Sequence, residues 1–140
     1  MVLLDTDPMT VLEREGPEAE VLKARLDNIP LDDLGTTILS YEEQTRGWLA
    51  YIARLQTEAA RVRAYALLNR HLEIYCRVVV VPYDHMAAEE YERLRHAKIR
   101  IGTMGVKIAA IALANNATLP TRNLSDFAKI PGLRVEDWSV

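Results

Sequence analysis

Short apolar runs that stop at a turn or an acid alternate along this chain with longer stretches whose apolar side chains recur every three or four positions. The first pattern suits a buried strand, the second a helix with one inward face. Val2-Leu3-Leu4 ends abruptly at Asp5-Thr6-Asp7-Pro8, which predicts a strand followed by a helix start, with Pro8 accommodated in the first turn. A short helix over 9–15 comes next, then a second from Glu18 to Asn28 with Val21, Leu22 and Leu26 inward. Thr37-Ile38-Leu39 predicts a second strand, and Ser40 opens a helix whose Trp48, Ile52 and Leu55 share a face. A further helix covers Glu58 to Leu72. The strand signal is strongest from Arg77 to Val81, where four consecutive valines are closed by Pro82. Helices over Met86–Ala97 and Thr103–Asn115, a strand over 117–121, a short helix from Asn123 to Lys129 and a strand at Leu133-Arg134-Val135 complete the pattern. Pro120 is awkward in a central strand, because it has no N–H for a ladder.

Strands separated by helices imply an α/β fold, a three-layer α/β/α sandwich with a short central parallel sheet. Right-handed crossovers would gather the carboxyl ends of the strands on one edge, where such folds bind ligands. A length of 140 residues suits one domain over 1–140. The 49% apolar content excludes disorder, and 6 Gly and 6 Pro exclude collagen-like or low-complexity classes. With 17 basic and 20 acidic residues the formal net charge is −3, which argues against a general nucleic-acid coat protein but leaves room for a nuclease with a local basic strip. No apolar run approaches the roughly 18 residues that span a bilayer. Residues 1–20 lack a basic segment followed by an apolar one, so no signal peptide is expected. The single cysteine, Cys76, is expected to be a buried apolar residue and fits a cytoplasmic setting. His71, His85 and His96 lack metal-ligand spacing and are expected to serve packing or the surface.

Three acids fall on the predicted edge: Asp5 after the first strand, Glu43 after the second and Asp126 after the strand at 117–121. Clustered carboxylates repel one another unless a cation neutralises them, and their hard oxygens suit Mg²⁺ or Mn²⁺. Such an ion polarises a phosphodiester and activates an attacking water. Helix capping competes with this reading. Ser40 with Glu43 and Asn123 with Asp126 have capping-box spacing, and Asp7 before Pro8 suits an N-cap.

The wording around these acids is more specific. Leu3-Leu4-Asp5-Thr6-Asp7 resembles the opening of PIN-domain ribonucleases, in particular the VapC-like toxins of type II toxin–antitoxin pairs. Glu43-Gln44-Thr45-Arg46-Gly47 looks like their second motif. Arg100-Ile101-Gly102-Thr103-Met104, followed by Lys107-Ile108-Ala109-Ala110, looks like the third. Thr121-Arg122-Asn123-Leu124-Ser125-Asp126-Phe127 is similar to the fourth, and Ile130-Pro131-Gly132-Leu133 with Glu136-Asp137-Trp138 to the usual ending. The matches run in order through nearly the whole chain. The resemblance implies a Mg²⁺- or Mn²⁺-dependent endoribonuclease, with tRNA as substrate class, a cognate antitoxin as partner and a homodimeric state. It carries the catalytic and metal-binding roles to Asp5, Glu43 and Asp126, with Thr6, Asp7 and Asn123 as polar supports and Arg46 and Arg122 as RNA-binding candidates.

One position departs from the family pattern. Gly105 stands where the family has a metal-binding aspartate, so an attenuated or non-cleaving toxin is the alternative expectation. Close packing against a neighbouring backbone is the structural explanation to weigh against it. Arg93, Arg95, Lys98, Arg100 and Lys107 suit either a phosphate-binding strip or a solvated face balanced by Glu89, Glu90 and Glu92. Trp48, Tyr51 and Tyr65 at helical spacing suit core or interface. Asp5-Thr6-Asp7 after a strand also resembles the first motif of haloacid-dehalogenase phosphatases. Met9 stands where that motif wants Thr or Val, and its paired downstream acids are missing.

Overall fold

Five short parallel strands form the middle layer of the protein, which a computed structural model describes over residues 1–138. They are β1 (Val2–Leu4), β2 (Leu34–Thr37), β3 (Val79–Val81), β4 (Thr118–Thr121) and β5 (Arg134–Asp137), ordered β3-β2-β1-β4-β5. Helices α1 (Thr6–Glu13) and α2 (Pro17–Leu26) connect β1 to β2, and α3 (Ile38–Ala53) and α4 (Glu58–Arg77) connect β2 to β3. Helices α5 (His85–His96) and α6 (Thr103–Ala114) lead to β4, and α7 (Leu124–Phe127) precedes β5. Leu3 and Leu4 show the layering directly, because neighbouring strand residues point to opposite faces. Leu3 packs with Leu94, Ile108, Ile111 and Leu119, whereas Leu4 packs with Met9, Leu34 and Tyr75. The expected α/β/α sandwich is the one observed. No helix among the described residues is long and apolar enough to cross a membrane.

The connection leaving β1 runs to β2 on one side, and the connection leaving β4 runs to β5 on the other. A crevice therefore opens beyond the carboxyl ends of β1 and β4, the place where open parallel sheets take ligands.

Several boundaries differ from the sequence reading. The second strand is Leu34-Gly35-Thr36-Thr37, and Ile38 and Leu39 already belong to α3. Glycine and threonines read as turn residues, yet all four positions are buried. A side chain at Gly35 would meet the Val79 carbonyl oxygen at 2.9 Å, so the approach of β2 to β3 requires glycine there. Thr36 hides its hydroxyl by donating to the Leu4 carbonyl at 2.7 Å. Helix α4 runs on to Arg77 because Ile74 and Tyr75 continue its inward face, and β3 starts only at Val79. That extension turns Cys76 outward, so it is exposed rather than buried. Helix α1 begins at Thr6, not at residue 9, and α6 takes Gly102, not Thr103, as its N-cap. Pro120 fits because β4 registers with β1 only at Val2 and Thr118, two residues earlier.

Candidate active site

Strand β1 stops at Leu4 and α1 starts at Thr6, which leaves Asp5 at the N-cap with extended backbone (φ −82°, ψ −171°). Its carboxylate does not cap the helix. Oδ1 is buried and has no hydrogen-bond partner. Burial is the main cause that pushes this carboxyl up from 3.8 to about 7; the negative charge of Asp7 adds to it, backbone N–H donors oppose it, and Glu43 contributes further. Glu43 comes from the second turn of α3 and accepts a hydrogen bond from the Thr6 hydroxyl on Oε1 at 2.5 Å. Asp5, Thr6, Asp7, Glu43, Arg122 and Asn123 line one open cavity of about 370 Å³, together with Met104, Gly105 and Phe127.

The capping alternatives do not form. Thr37 caps α3 by accepting from the Ser40 N–H at 3.1 Å, so Ser40 and Glu43 make no capping box. Asp7 lies inside the first turn of α1. Asn123 sits at the N-cap of α7 without capping it and instead donates Nδ2 to Asp126 Oδ2 at 2.6 Å.

Asp126 is therefore one step removed. It does not line the cavity, and its other neighbour is Lys129 at 3.9 Å. Among the described residues no three His, Cys, Asp or Glu side chains come close enough together to hold a metal ion. The expected gathering of Asp5, Glu43 and Asp126 is reduced to the Asp5–Glu43 pair, with Asp126 reaching the cavity through Asn123. Arg122 lies at the cavity, 3.8 Å from Asp7 and 3.2 Å from Glu18. Arg46 is held by Glu42 at 2.5 Å, is largely exposed and stays outside the cavity.

Gly105 is not there to let a backbone approach. A Cβ added to it would meet Ile101 Cδ1 at 3.4 Å and Phe127 Cζ at 3.9 Å, ordinary contacts. The cavity thus has room for a side chain at this position. The donor set that is present fits a hard divalent cation. Mg²⁺ commonly takes one or two carboxylates and completes its shell with water and substrate phosphates, and Asp5 supplies a buried oxygen that nothing else satisfies.

Polar residues that the sequence reading passed over support this pair. Gln44 and Tyr75 are buried, and Gln44 follows Ser40 by one helical turn on the inward face of α3. That spacing was the available signal. His71 is buried too, and its ring nitrogens meet Glu13 and Thr45, a packing role as expected.

No family model matches the chain. The plasmid stability protein StbB of Pseudomonas syringae pv. tomato is 30% identical over 139 residues, which span 96% of this chain and 96% of that protein. Ribonuclease VapC2 of Rickettsia felis is 29% identical over 92 residues, 62% of this chain and 69% of the relative. The solved structure of VapBC-1 from nontypeable Haemophilus influenzae is 27% identical and superposes with a TM-score of 0.72 over 100% of both chains. Relatedness across nearly the full length, on the same fold, makes this chain a member of the VapC-like PIN-domain toxin family.

Proposed function

We propose that this chain is the toxin of a toxin–antitoxin pair, a cytoplasmic endoribonuclease of the tRNA-cleaving class whose divalent cation is held by Asp5 and Glu43 and whose activity is held down by Gly105. The observation that carries this reading is the buried, unpartnered Oδ1 of Asp5 in a cavity shared with Glu43. An unsatisfied buried carboxylate oxygen costs free energy, and a Mg²⁺ or Mn²⁺ ion offsets that cost. When bound, such an ion supplies Lewis acidity toward the phosphodiester and lowers the pKa of an attacking water.

The protein's own groups orient the rest. Thr6 holds one oxygen of Glu43 and leaves the other for the cation. Asn123 lines the cavity and is fixed there by Asp126 on Nδ2 and by Ser125 on Oδ1. Arg122 stands at the rim with its side chain 46% exposed, suited to a phosphate once RNA competes with Asp7 and Glu18. Arg46 would act farther out, on the exposed face of α3. Aspartate at position 105 would add a third carboxylate to this wall, so glycine leaves a weaker cation site.

An antitoxin partner is supported by a mostly apolar groove of about 280 Å³ lined by Pro8, Val11, Pro17, Val21, Leu22 and Trp138, which adjoins Arg122. A homodimer is supported by Leu49, Val62, Tyr65 and Leu72, exposed along α3 and α4. The test is cleavage of a tRNA pool with Mg²⁺ or Mn²⁺, in the presence and absence of EDTA, by the protein and by Gly105→Asp. EDTA-sensitive cleavage that rises in Gly105→Asp is expected, and its absence from both proteins overturns the reading. Gly105 and the missing third acid favour one alternative, a non-cleaving module that binds RNA or an antitoxin. Tight RNA binding without turnover would identify it.

A further inference from the structure

The two carboxylates of the site ride on different helices, Asp5 at the start of α1 and Glu43 in α3. Their spacing depends on what locks α1 against α3. A directed chain of hydrogen bonds does so. The Tyr75 hydroxyl of α4 donates to Gln44 Oε1. Gln44 Nε2 donates to Thr10 Oγ1 at 3.2 Å, and the Thr10 hydroxyl donates to the Thr6 carbonyl at 2.9 Å. The Thr6 hydroxyl then donates to Glu43 Oε1 at 2.5 Å. The Thr6 oxygen also lies 3.3 Å from the Ser40 hydroxyl of α3, which donates to it when the single Thr6 proton goes to Glu43; the Tyr75 and Thr10 protons fix which way the Gln44 amide faces. Gln44 is 8% exposed and Tyr75 5%, so neither has water as a ready substitute. The chain leaves α3 at Gln44, passes through two turns of α1 and returns to α3 at the adjacent Glu43.

We propose that Gln44 is a positioning residue for cation binding, its buried amide fixing the Glu43 carboxylate through Thr10 and Thr6. The inference rests on the cation reading of the Asp5–Glu43 site. Gln44 touches neither the cavity of that site nor Asp5; it acts by holding the first turns of α1 in register with α3. Without it, Thr10 and Tyr75 lose their shared partner, the first turns of α1 lose one of their ties to α3, and the Thr6 hydroxyl shifts between Ser40 and Glu43, so that Glu43 samples rotamers that do not face Asp5.

Two variants cut the chain at successive links. Gln44→Met keeps the length of the side chain and removes both amide bonds, and Thr10→Val keeps the shape of the threonine and removes its hydroxyl. Mn²⁺ alone, titrated by electron paramagnetic resonance, is expected to bind each folded variant roughly 10- to 100-fold more weakly than the parent. The double variant is expected to lose no more than the weaker single one, because both interrupt one path. In metal-free protein, the three-bond couplings of Thr6 should report one χ1 rotamer in the parent and averaging in both variants. A residue that only stabilises the fold would lower the melting temperature without moving either readout. Should Gln44→Met fail to fold, Thr10→Val alone decides the matter. Parent-like Mn²⁺ affinity in the folded variants, or a Thr6 rotamer that stays locked, overturns the inference. A parent that binds no Mn²⁺ overturns the cation reading of the site and, with it, the inference about cation binding. The Thr6 couplings still separate that failure from a wrong account of how Gln44 holds Thr6.

Discussion

The two ends of α1 bury polar groups in opposite ways. At its C-terminal end Glu13 meets His71 Nδ1 and accepts from Trp48 Nε1 at 3.1 Å. His71 Nε2 lies 2.8 Å from Thr45 Oγ1, and the imidazole stacks on Tyr41 with ring centroids 5.5 Å apart and planes 5° off parallel. At its N-terminal end the half-buried Asp5 sits beside Asp7 and Glu43, and its buried Oδ1 meets nothing. The contrast teaches that burial of polar groups does not by itself mark a functional site. Satisfied groups tie helices together, and an unsatisfied one asks for a ligand.

Substitutions at the two ends should break the molecule in different ways. The largest effect is expected from Asp5→Asn, which removes the carboxylate charge proposed to hold the cation and should lower RNA cleavage by roughly 10³-fold, the several kcal/mol that cation catalysis would supply. Quantified cleavage of labelled tRNA checks this. His71→Ala should instead destabilise the fold by about 3 kcal/mol in urea, by orphaning Glu13 and Thr45, while cleavage per folded molecule stays within about twofold of the parent.

A pH series sharpens the same comparison. The Asp5 carboxyl titrates at about 7 when folded against 3.8 ordinarily, so between these values the folded state holds more protons than the unfolded one. Metal-free stability is thus full below the lower value and falls as pH rises through about 7. Allowing for partial solvation, the loss should be about 2 kcal/mol, half of what a three-unit shift represents. Thermal unfolding in EDTA at pH 5 and pH 8 should show this slope in the parent and lose it in Asp5→Asn, and added Mg²⁺ should restore parent stability at the higher pH. The smallest effect is expected from Gly105→Asp, a gain of about tenfold in cleavage or Mn²⁺ affinity, about 1.4 kcal/mol. Its melting temperature in EDTA should change little, since helix propensity gains what carboxylate repulsion loses.

Much of the architecture was legible from periodicity. Val2-Leu3-Leu4 before Asp5 announced a buried strand running into a helix, and the valines before Pro82 announced β3. Strand β2 was placed too late because Gly35 and Thr36 carry no apolar pattern. They are buried by a backbone approach to Val79 and a hydrogen bond to Leu4, partners distant in sequence. The cysteine was misplaced for a related reason, since α4 continues past Leu72 and turns position 76 outward. At the site, the motifs singled out Asp5, Glu43 and Asp126 but not their distances. Asp126 is drawn to Asn123 and Lys129, which lie in its own helical turn or beside it and need no ligand to form a bond.

The sequence by itself determined the kind of layer each segment joins, the family wording of the motifs and the glycine at position 105. All of these are local in the chain. The tertiary structure alone decided that Asp5 Oδ1 is buried without a partner, that Glu43 is held by Thr6 from another helix, and that a side chain at position 105 would have room. Each of these depends on where α1, α3 and α6 stop against one another. That is set by packing and by hydrogen bonds between residues more than thirty positions apart, such as the buried bond of Thr36 with Leu4 at a separation of 32 and the exposed one of Thr6 with Glu43 at a separation of 37.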